Sequence, residues 1–418
     1  MKITILAFGT RGDVQPIVAL GKGLHARGHR VRVVAGANFT SWIASHGLEA
    51  VASSVDMEEL MRSEDGQEWV ENGLHPVKSV RAMRKLLDEH GLAMMRDAWR
   101  ASEDADVLAS SFTSDAYAVS IAEKLGARHV SIPLQPALVA TRSGTATPQA
   151  PRPNSTSLLN YLCGKLLIEP FGWRLIGRLA NRFRRETLGL PPQSYRENLR
   201  ALRRMRVVQG FSRHVVPHPA DWPSNIQTAG YWFLDESSGW EAPRDLLAFL
   251  EGGEPPIYIG FGSMTGRNAE GMTRLIIDAV ARSGRRAILQ PGWAGIGAAS
   301  LPSSIHLLDR APHAWLFPRV AAVVHHGGAG TTGEGLRAGV PTVIVPHMAD
   351  QPFWGARVAA LGVGPRPIPR PALTAEKLAS AIREATGDAA MRARAAALGA
   401  RIRAEDGIAA AAELIEAP

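Results

Sequence analysis

The chain has 418 residues, too many for one ordinary domain and enough for two that each bury a core. Its 45% hydrophobic and 21% charged residues exclude wholesale disorder, and its single cysteine, Cys163, excludes an internal disulfide and suits a reducing cytoplasm. A net charge of +8 suits nucleic acid, an anionic membrane or an acidic substrate, and equally an arginine-rich surface that binds none of these.

The opening KITILAFGT starts a strand at residue 2, with no charged leader, and no apolar run is long enough to span a bilayer. The sequence therefore predicts a soluble or, at most, peripheral protein. Residues 2 to 8 alternate and favour β-branched types, Gly9 to Asp13 turn the chain, and Pro16 sits where a first helical turn tolerates a missing N–H. The helix turns Ile17, Leu20 and Leu24 inward and stops at Gly28, after which RVRVVAG reads as a second strand. Strand, helix and strand in that order imply a parallel sheet.

The alternation continues through DVLASSF (106 to 112), a helix around Tyr117 to Leu125, and RHVSIPL (128 to 134). Residues 141 to 157, rich in Thr, Ser, Pro and Arg, read as a mobile loop or a lid. The apolar content of residues 158 to 183 fits a surface for a hydrophobic small molecule and fits core packing equally well. Between Arg174 and Arg206, arginines interleave with Trp173, Ile176, Leu179 and Phe183, which predicts a basic amphipathic helix followed by a basic loop and makes peripheral membrane contact possible. Without zinc-ligand spacing or an aromatic platform on strands, this segment does not read as a nucleic-acid module.

A second alternating series runs from IYIGFGS (257 to 263) through RAILQP, SIHLLD, AAVVHHGG and PTVIVPH, and the stretch from His214 to Pro256 separates the two. The expected organisation is an N-terminal domain at 1–215, a linker at 216–240, a C-terminal domain at 241–395, and a C-terminal helix at 396–418 that can pack back on the first domain. The fold class is α/β, two doubly wound Rossmann-like domains facing a central cleft, with ligands at the carboxyl ends of the strands.

The sharpest signal is VVHHGGAGTTGEGLRAG, residues 323 to 339. A buried strand ends at His325 and His326, glycines fill the turn, and a helix is predicted from about Thr331. Glycines allow close backbone approach and a helix N-terminus offers free N–H groups, so the segment suits an anion, above all a diphosphate. His326 can add a donor to a phosphate oxygen and Glu334 can accept ribose hydroxyls, whereas His325 reads as a packed strand-end residue.

This segment resembles the donor-binding signature of the nucleotide-sugar-dependent glycosyltransferases of the GT-B architecture. HHGGAGTT, with APHAWLFPRVAAVV before it and GVPTVIVPHMADQPFWGARV after it, is most similar to the antibiotic and sterol glucosyltransferase branch. The likeness runs from ILAFGTRGDVQP to DQPFWGARVAALGVG, with little from residues 60 to 220. It implies that His326 and the backbone of Gly328, Ala329, Gly330 and Thr331 contact the donor diphosphate, that Ser263 meets a phosphate beside Gly262, and that Glu334 binds ribose. It further implies that Asp350 and Gln351 read sugar hydroxyls and that the His313 backbone frames the base. Plant members place a base-stacking tryptophan near residue 310, where this chain has Arg310.

Attack by an acceptor hydroxyl needs a base within hydrogen-bond reach and a stabilised leaving diphosphate. In the first loop, GTRGDVQP, most of the family has histidine; here Asp13 is the candidate base, and capping of the following helix is its alternative use. Thr10 and Arg11 stand close enough in sequence to assist phosphate or acceptor. Asp104-Ala105-Asp106 matches a metal-binding D-x-D, but it precedes a strand and so reads as a surface turn. The expected reaction is inverting and metal-independent: transfer of a hexosyl group from a UDP- or dTDP-sugar to a hydroxyl of a hydrophobic acceptor such as a sterol, terpenoid or polyketide. No cofactor is expected beyond the nucleotide-diphosphate sugar as co-substrate. The alternatives are a sugar-nucleotide epimerase or hydrolase on the same fold and a non-catalytic nucleotide-sugar-binding protein.

Overall fold

The computed structural model describes residues 1–148, 150–153, 155–237, 239–262, 269–290 and 301–417, with backbone alone for Phe112, Thr113 and Ala269. The chain divides into unit 1, made of Met1–Gly66, Val77–Leu234 and Glu405–Pro418, and unit 2, made of Gln67–Pro76 and Asp235–Ala404.

In unit 1 the strands are β1 (Lys2–Leu6), β2 (Arg30–Gly36), β3 (Glu49–Ser53), β4 (Val107–Ser110), β5 (Arg128–Ser131), β6 (Arg206–Gln209) and β7 (Ile226–Thr228). They form one parallel sheet in the order β3-β2-β1-β4-β5-β6-β7. A parallel sheet covered on both faces needs strands that are apolar on both, which is why Ile3, Ile5, Leu6, Val31, Val33 and Val34 are all buried. Unit 2 repeats the pattern with β8 (Ile257–Gly260), β9 (Ala287–Gln290), β10 (Ile305–Leu307), β11 (Ala322–His325) and β12 (Thr342–Ile344), ordered β10-β9-β8-β11-β12. Each sheet reverses its winding beside its first strand, between β1 and β4 and between β8 and β11. Crevices at such switch points are where doubly wound sheets bind ligands.

Several local expectations shift. The first helix is Arg11–Ala26, so Pro16 lies inside it rather than in its first turn; Asp13 completes a capping box with Thr10 and starts the helix early. The predicted basic loop before β6 is instead the Tyr195–Arg204 helix, capped by Ser194 and Glu197. Of the arginines there, Arg184 is buried against Ser120 and Glu123, Arg203 pairs with Glu169, and Arg206 binds the carbonyls of Leu414 and Ala417. Residues 141–157 are pinned rather than loose, because the amide of buried Asn160 donates to the carbonyls of Arg142, Arg152 and Ser155 at 2.9 to 3.1 Å.

Residues 216–234, read from sequence as linker, lie in unit 1, where Trp222, Ile226, Tyr231, Trp232 and Leu234 are buried. Apart from the short excursion of Gln67–Pro76 into unit 2, the chain crosses between units at Leu234–Asp235 and again at Ala404–Glu405. The Ala389–Arg403 helix stays in unit 2, while the Gly407–Glu416 helix buries Ala411, Ala412 and Ile415 in unit 1. There the guanidinium of Arg27 (2.6 Å) and the ring of His29 (2.7 Å) hold the Glu416 carboxyl down to about 2. Among the described residues no helix is long and apolar enough to cross a membrane.

Candidate functional site

In unit 2, β11 pairs with β8 so that His325 stands beside Gly260 at the switch point. His325 is fully buried and its Nδ1 accepts the Gly327 N–H at 3.0 Å, which puts the ring hydrogen on Nε2 and fixes the glycine turn. Burial, reinforced by the neighbouring histidines, holds its pKa well below the ordinary value. This is a structural histidine.

The His326 ring lies at 89° to that of His325. A Cβ at residue 328 would stand 2.7 Å from His326 Nε2, so glycine there leaves room for the ring. The buried Nδ1 of His326 has no hydrogen-bond partner among the described residues, and burial pushes the pKa down to about 4. At neutral pH the ring is uncharged and has one N–H to donate.

The helix that follows is Ala329–Ala338, beginning earlier than the predicted Thr331 because Gly328 itself is the N-cap. The Thr332 N–H and hydroxyl both bind the Gly328 carbonyl at 2.9 Å and tie down the first turn. Among the described residues no side chain caps the helix, so the N–H groups of Ala329, Gly330 and Thr331 lack the usual acceptor there. One turn on, Glu334 is buried 3.7 Å from Arg337. Burial pushes its carboxyl up to about 7, Arg337 opposes this and Asp235 adds to it.

The loop after β12 is tightly specified. Gln351 Oε1 accepts the N–H groups of His347 (2.7 Å) and Met348 (3.0 Å), and Asp350 Oδ2 accepts the Trp354 indole N–H at 2.7 Å. Ala349 has φ 54, the one non-glycine residue with positive φ among those described. The expectation that Gln351 accepts sugar hydroxyls is thereby changed: both lone pairs of its oxygen are used, and its NH₂ group is what remains to donate. His313 stacks on Phe317 with centroids 4.3 Å apart, 3.5 Å from the Tyr258 hydroxyl, and Arg310 pairs with Glu236. Ser263 lies outside the described residues; its neighbour Gly262 is packed beside the His326 ring.

In unit 1 the loop after β1 leads straight into the Arg11–Ala26 helix. Asp13 Oδ2 accepts the Thr10 N–H at 2.9 Å and the Thr10 hydroxyl at 3.3 Å, while Oδ1 has no partner among the described residues. The side chain keeps exposed surface, yet desolvation raises its pKa against the lowering effect of the Thr10 bonds. The two observations fit a carboxylate that water reaches but that surrounding protein crowds. Arg11 is turned aside, with its guanidinium 3.9 Å over the Trp42 ring and Nε on Gln15. Asp104 and Asp106 are occupied at the opposite end of the strands: Asp104 pairs with Arg32 (2.6 Å) and Lys2 (3.4 Å), and Asp106 accepts the Lys2 backbone N–H (2.7 Å).

Two partners of the expected residues went unread in the sequence, Arg337 beside Glu334 and Trp354 beside Asp350. Both carried a signal, since they sit three and four residues along a helix from the group they touch.

The chain belongs to the glycosyltransferases of the GT-B architecture. Residues 3–132 match the glycosyltransferase family 28 N-terminal domain and residues 274–415 match the erythromycin biosynthesis protein CIII-like C-terminal domain. Among solved structures, the glycotransferase of kitacinnamycin shares the fold with a TM-score of 0.71, at 22% identity, over 99% of this chain and 98% of that one. Its sequence is also similar to sterol 3-beta-glucosyltransferases, of which it spans less than two thirds. It is 38% identical over 99% of its length to a sterol 3-beta-glucosyltransferase of Emericella nidulans, of which it spans 30%. It is 36% identical over 98% of its length to the sterol 3-beta-glucosyltransferase UGT80A2 of Arabidopsis thaliana, of which it spans 64%.

Proposed function

We propose that the protein transfers a hexosyl group from a UDP- or dTDP-sugar to a hydroxyl of a hydrophobic small molecule, with inversion and without a metal. The observation that carries this reading is the uncapped helix N-terminus at Gly328, with the unpartnered His326 ring beside it, at the switch point of unit 2. The free N–H groups of Ala329 to Thr331 and the His326 donor suit a diphosphate and stabilise the charge that develops on it as it leaves. Glu334 takes the ribose hydroxyls, Asp350 and the Gln351 NH₂ group take the hexose, and the His313 backbone frames the base. Asp13 removes the acceptor proton, and the hydroxyl oxygen displaces the nucleotide diphosphate in a single step. Incubation with UDP- and dTDP-glucose, with and without a sterol, tests this: acceptor-independent turnover would favour an epimerase or hydrolase, and binding without turnover a sensor. A rate abolished by EDTA would remove the metal-independent part. The single cysteine, Cys163, supports a cytoplasmic location.

Sterol-like acceptors are supported by the relatives and by an apolar ridge in unit 1. Leu158, Leu159, Leu162, Leu166 and Leu167 are exposed, while Ile176, Ala180 and Phe183 of the next helix are core. The same ridge, near the exposed Arg142 and Arg152, is the part of the chain best suited to peripheral contact with an anionic bilayer. Sedimentation with phosphatidylserine vesicles is expected to carry the protein down at low salt and less at high salt, and Leu162→Asp with Leu166→Asp should abolish it. Wild-type protein left in the supernatant at low salt would exclude the contact.

Glu334 predicts a pH dependence. A carboxyl whose pKa is about 7 in the fold and about 4.5 when unfolded contributes stability below pH 4.5 that is lost as pH rises to 7. Glu334→Gln should therefore unfold at higher urea than wild type at pH 8, by on the order of 1–3 kcal/mol, with no gain at pH 4. Ribose binding draws on the ionised form, so affinity for the intact nucleotide sugar, whose diphosphate does not titrate here, should fall about tenfold from pH 8 to pH 6. Calorimetry checks this, and a wild-type affinity flat across that range would count against the ribose role.

A further inference from the structure

Residues 67–76 come from the N-terminal half of the sequence yet belong to unit 2. They comprise the end of the Glu64–Glu71 helix and the turn after it, where the Gly73 N–H bonds Val70 O at 3.3 Å. Gly73 presses on the loop after β12. A Cβ there would overlap Met348 Cβ and stand 2.7 Å from His347 O and 3.0 Å from Met348 Cα, so any larger residue must push that backbone away. The same segment acts on the start of the loop through charge. The Arg370 N–H bonds Pro346 O at 3.1 Å, and the Glu71 carboxylate opposes the lowering of the Arg370 pKa by burial.

Directly after Met348 comes Ala349, held at φ 54, with Asp350 next in the chain. An L residue keeps that backbone only where its surroundings over-determine it. Gln351 braces the loop from the carboxyl side through the N–H groups of His347 and Met348. Gly73 packs on the same two residues.

We propose that residues 67–76, through the close approach of Gly73 to Met348 and the charge of Glu71 near Arg370, are a positioning element that sets Asp350 and Gln351 for the hexose of the donor. The proposal rests on the reading of Asp350 and Gln351 as the sugar contacts. It predicts a defect centred on the hexose, because the diphosphate and ribose are assigned to the Ala329–Ala338 helix, whereas Gly73 packs on His347 and Met348.

The test compares the nucleotide sugar that turns over, UDP- or dTDP-glucose, with its nucleotide diphosphate alone. Gly73→Ala should raise KM for the nucleotide sugar about tenfold or more, with a much smaller change in kcat, since displacements near 1 Å are enough for such effects. The affinity for the nucleotide diphosphate should not change. Glu71→Gln, at an exposed helix end where folding is not at risk, should give a smaller loss with the same hexose selectivity. Loss of both ligands in parallel, or of neither, in Glu71→Gln and in any folded Gly73→Ala would overturn the proposal. Asp350→Asn separates the two layers. If it leaves hexose binding intact, the sugar reading itself fails; if it abolishes the hexose contribution while Gly73→Ala and Glu71→Gln do not, only the positioning role fails.

Discussion

Asp13→Asn is expected to lower kcat by about 10²–10⁴-fold while the Kd for the nucleotide sugar stays within a factor of two or so, the range a positioned general base supplies. The substitution is chosen because Asp13 has two uses that the structure separates. Oδ2 is spent on the Thr10 N–H and hydroxyl, holding the start of the Arg11–Ala26 helix, and Oδ1 is left over. Asparagine keeps one carbonyl oxygen for the Thr10 N–H, so the cap survives and only the proton acceptor is lost. A residue that merely capped the helix would tolerate the change, and a near-normal rate would sink the base assignment. The pH profile gives a second reading. Because the carboxyl must be ionised to accept a proton and desolvation raises its pKa above 3.8, wild-type kcat should climb with pH along an acid limb displaced above the ordinary aspartate range. That limb should be missing from the residual activity of the variant.

The doubling of Asp13 shows what kind of information a sequence holds. Its place three residues after Thr10 is a capping pattern, and its place in the loop after a first strand is a site pattern; both were legible, and nothing in the spacing says that one carboxylate can serve both. The two Rossmann-like units were legible for a simpler reason. Strands buried on both faces must be apolar throughout, so β1, β8 and β11 are conspicuous, and the turns after them carry the glycines that close approach to a ligand requires. The Tyr195–Arg204 helix is hard to read from sequence although Ser194 and Glu197 spell a capping box, because its many arginines leave few apolar residues to show a helical period. Other features had no local signal. Whether the leucines at 158–167 are core or surface depends on what packs over them, and among the described residues they stay exposed. That residues 67–76 belong with β12 rather than with their sequence neighbours is a long-range contact, which no window of the sequence contains.

The adjacent histidines that end β11 should fail in opposite ways. His326→Ala is expected to lower kcat/KM by about 10²–10³-fold, the usual cost of removing a donor aimed at developing charge, and to weaken donor binding as well. It should not destabilise the free protein greatly, because His326 Nδ1 is buried without a partner among the described residues and, unlike loss of the His325 ring, its removal orphans no backbone N–H. His325→Ala should do the reverse to the fold. That ring is fully enclosed and accepts the Gly327 N–H, so truncation leaves a cavity and an orphaned N–H, together costing about 2–5 kcal/mol. Denaturant unfolding alongside steady-state kinetics on both variants separates stability from function. A His326→Ala protein that unfolds as easily as His325→Ala, with kinetics to match its folded fraction, would reduce both residues to packing and leave the diphosphate to the helix N-terminus alone. The charge state sharpens the expectation further. Burial holds His326 near pKa 4, so before the donor arrives it is a neutral N–H donor rather than a cation. A bound diphosphate favours its protonated form, so donor binding should take up protons as the pH is lowered towards that value, in wild type and not in His326→Ala. Calorimetry in buffers of different ionisation enthalpy measures that uptake directly. Equal uptake in the two proteins would place the proton elsewhere and leave His326 without contact to the phosphate.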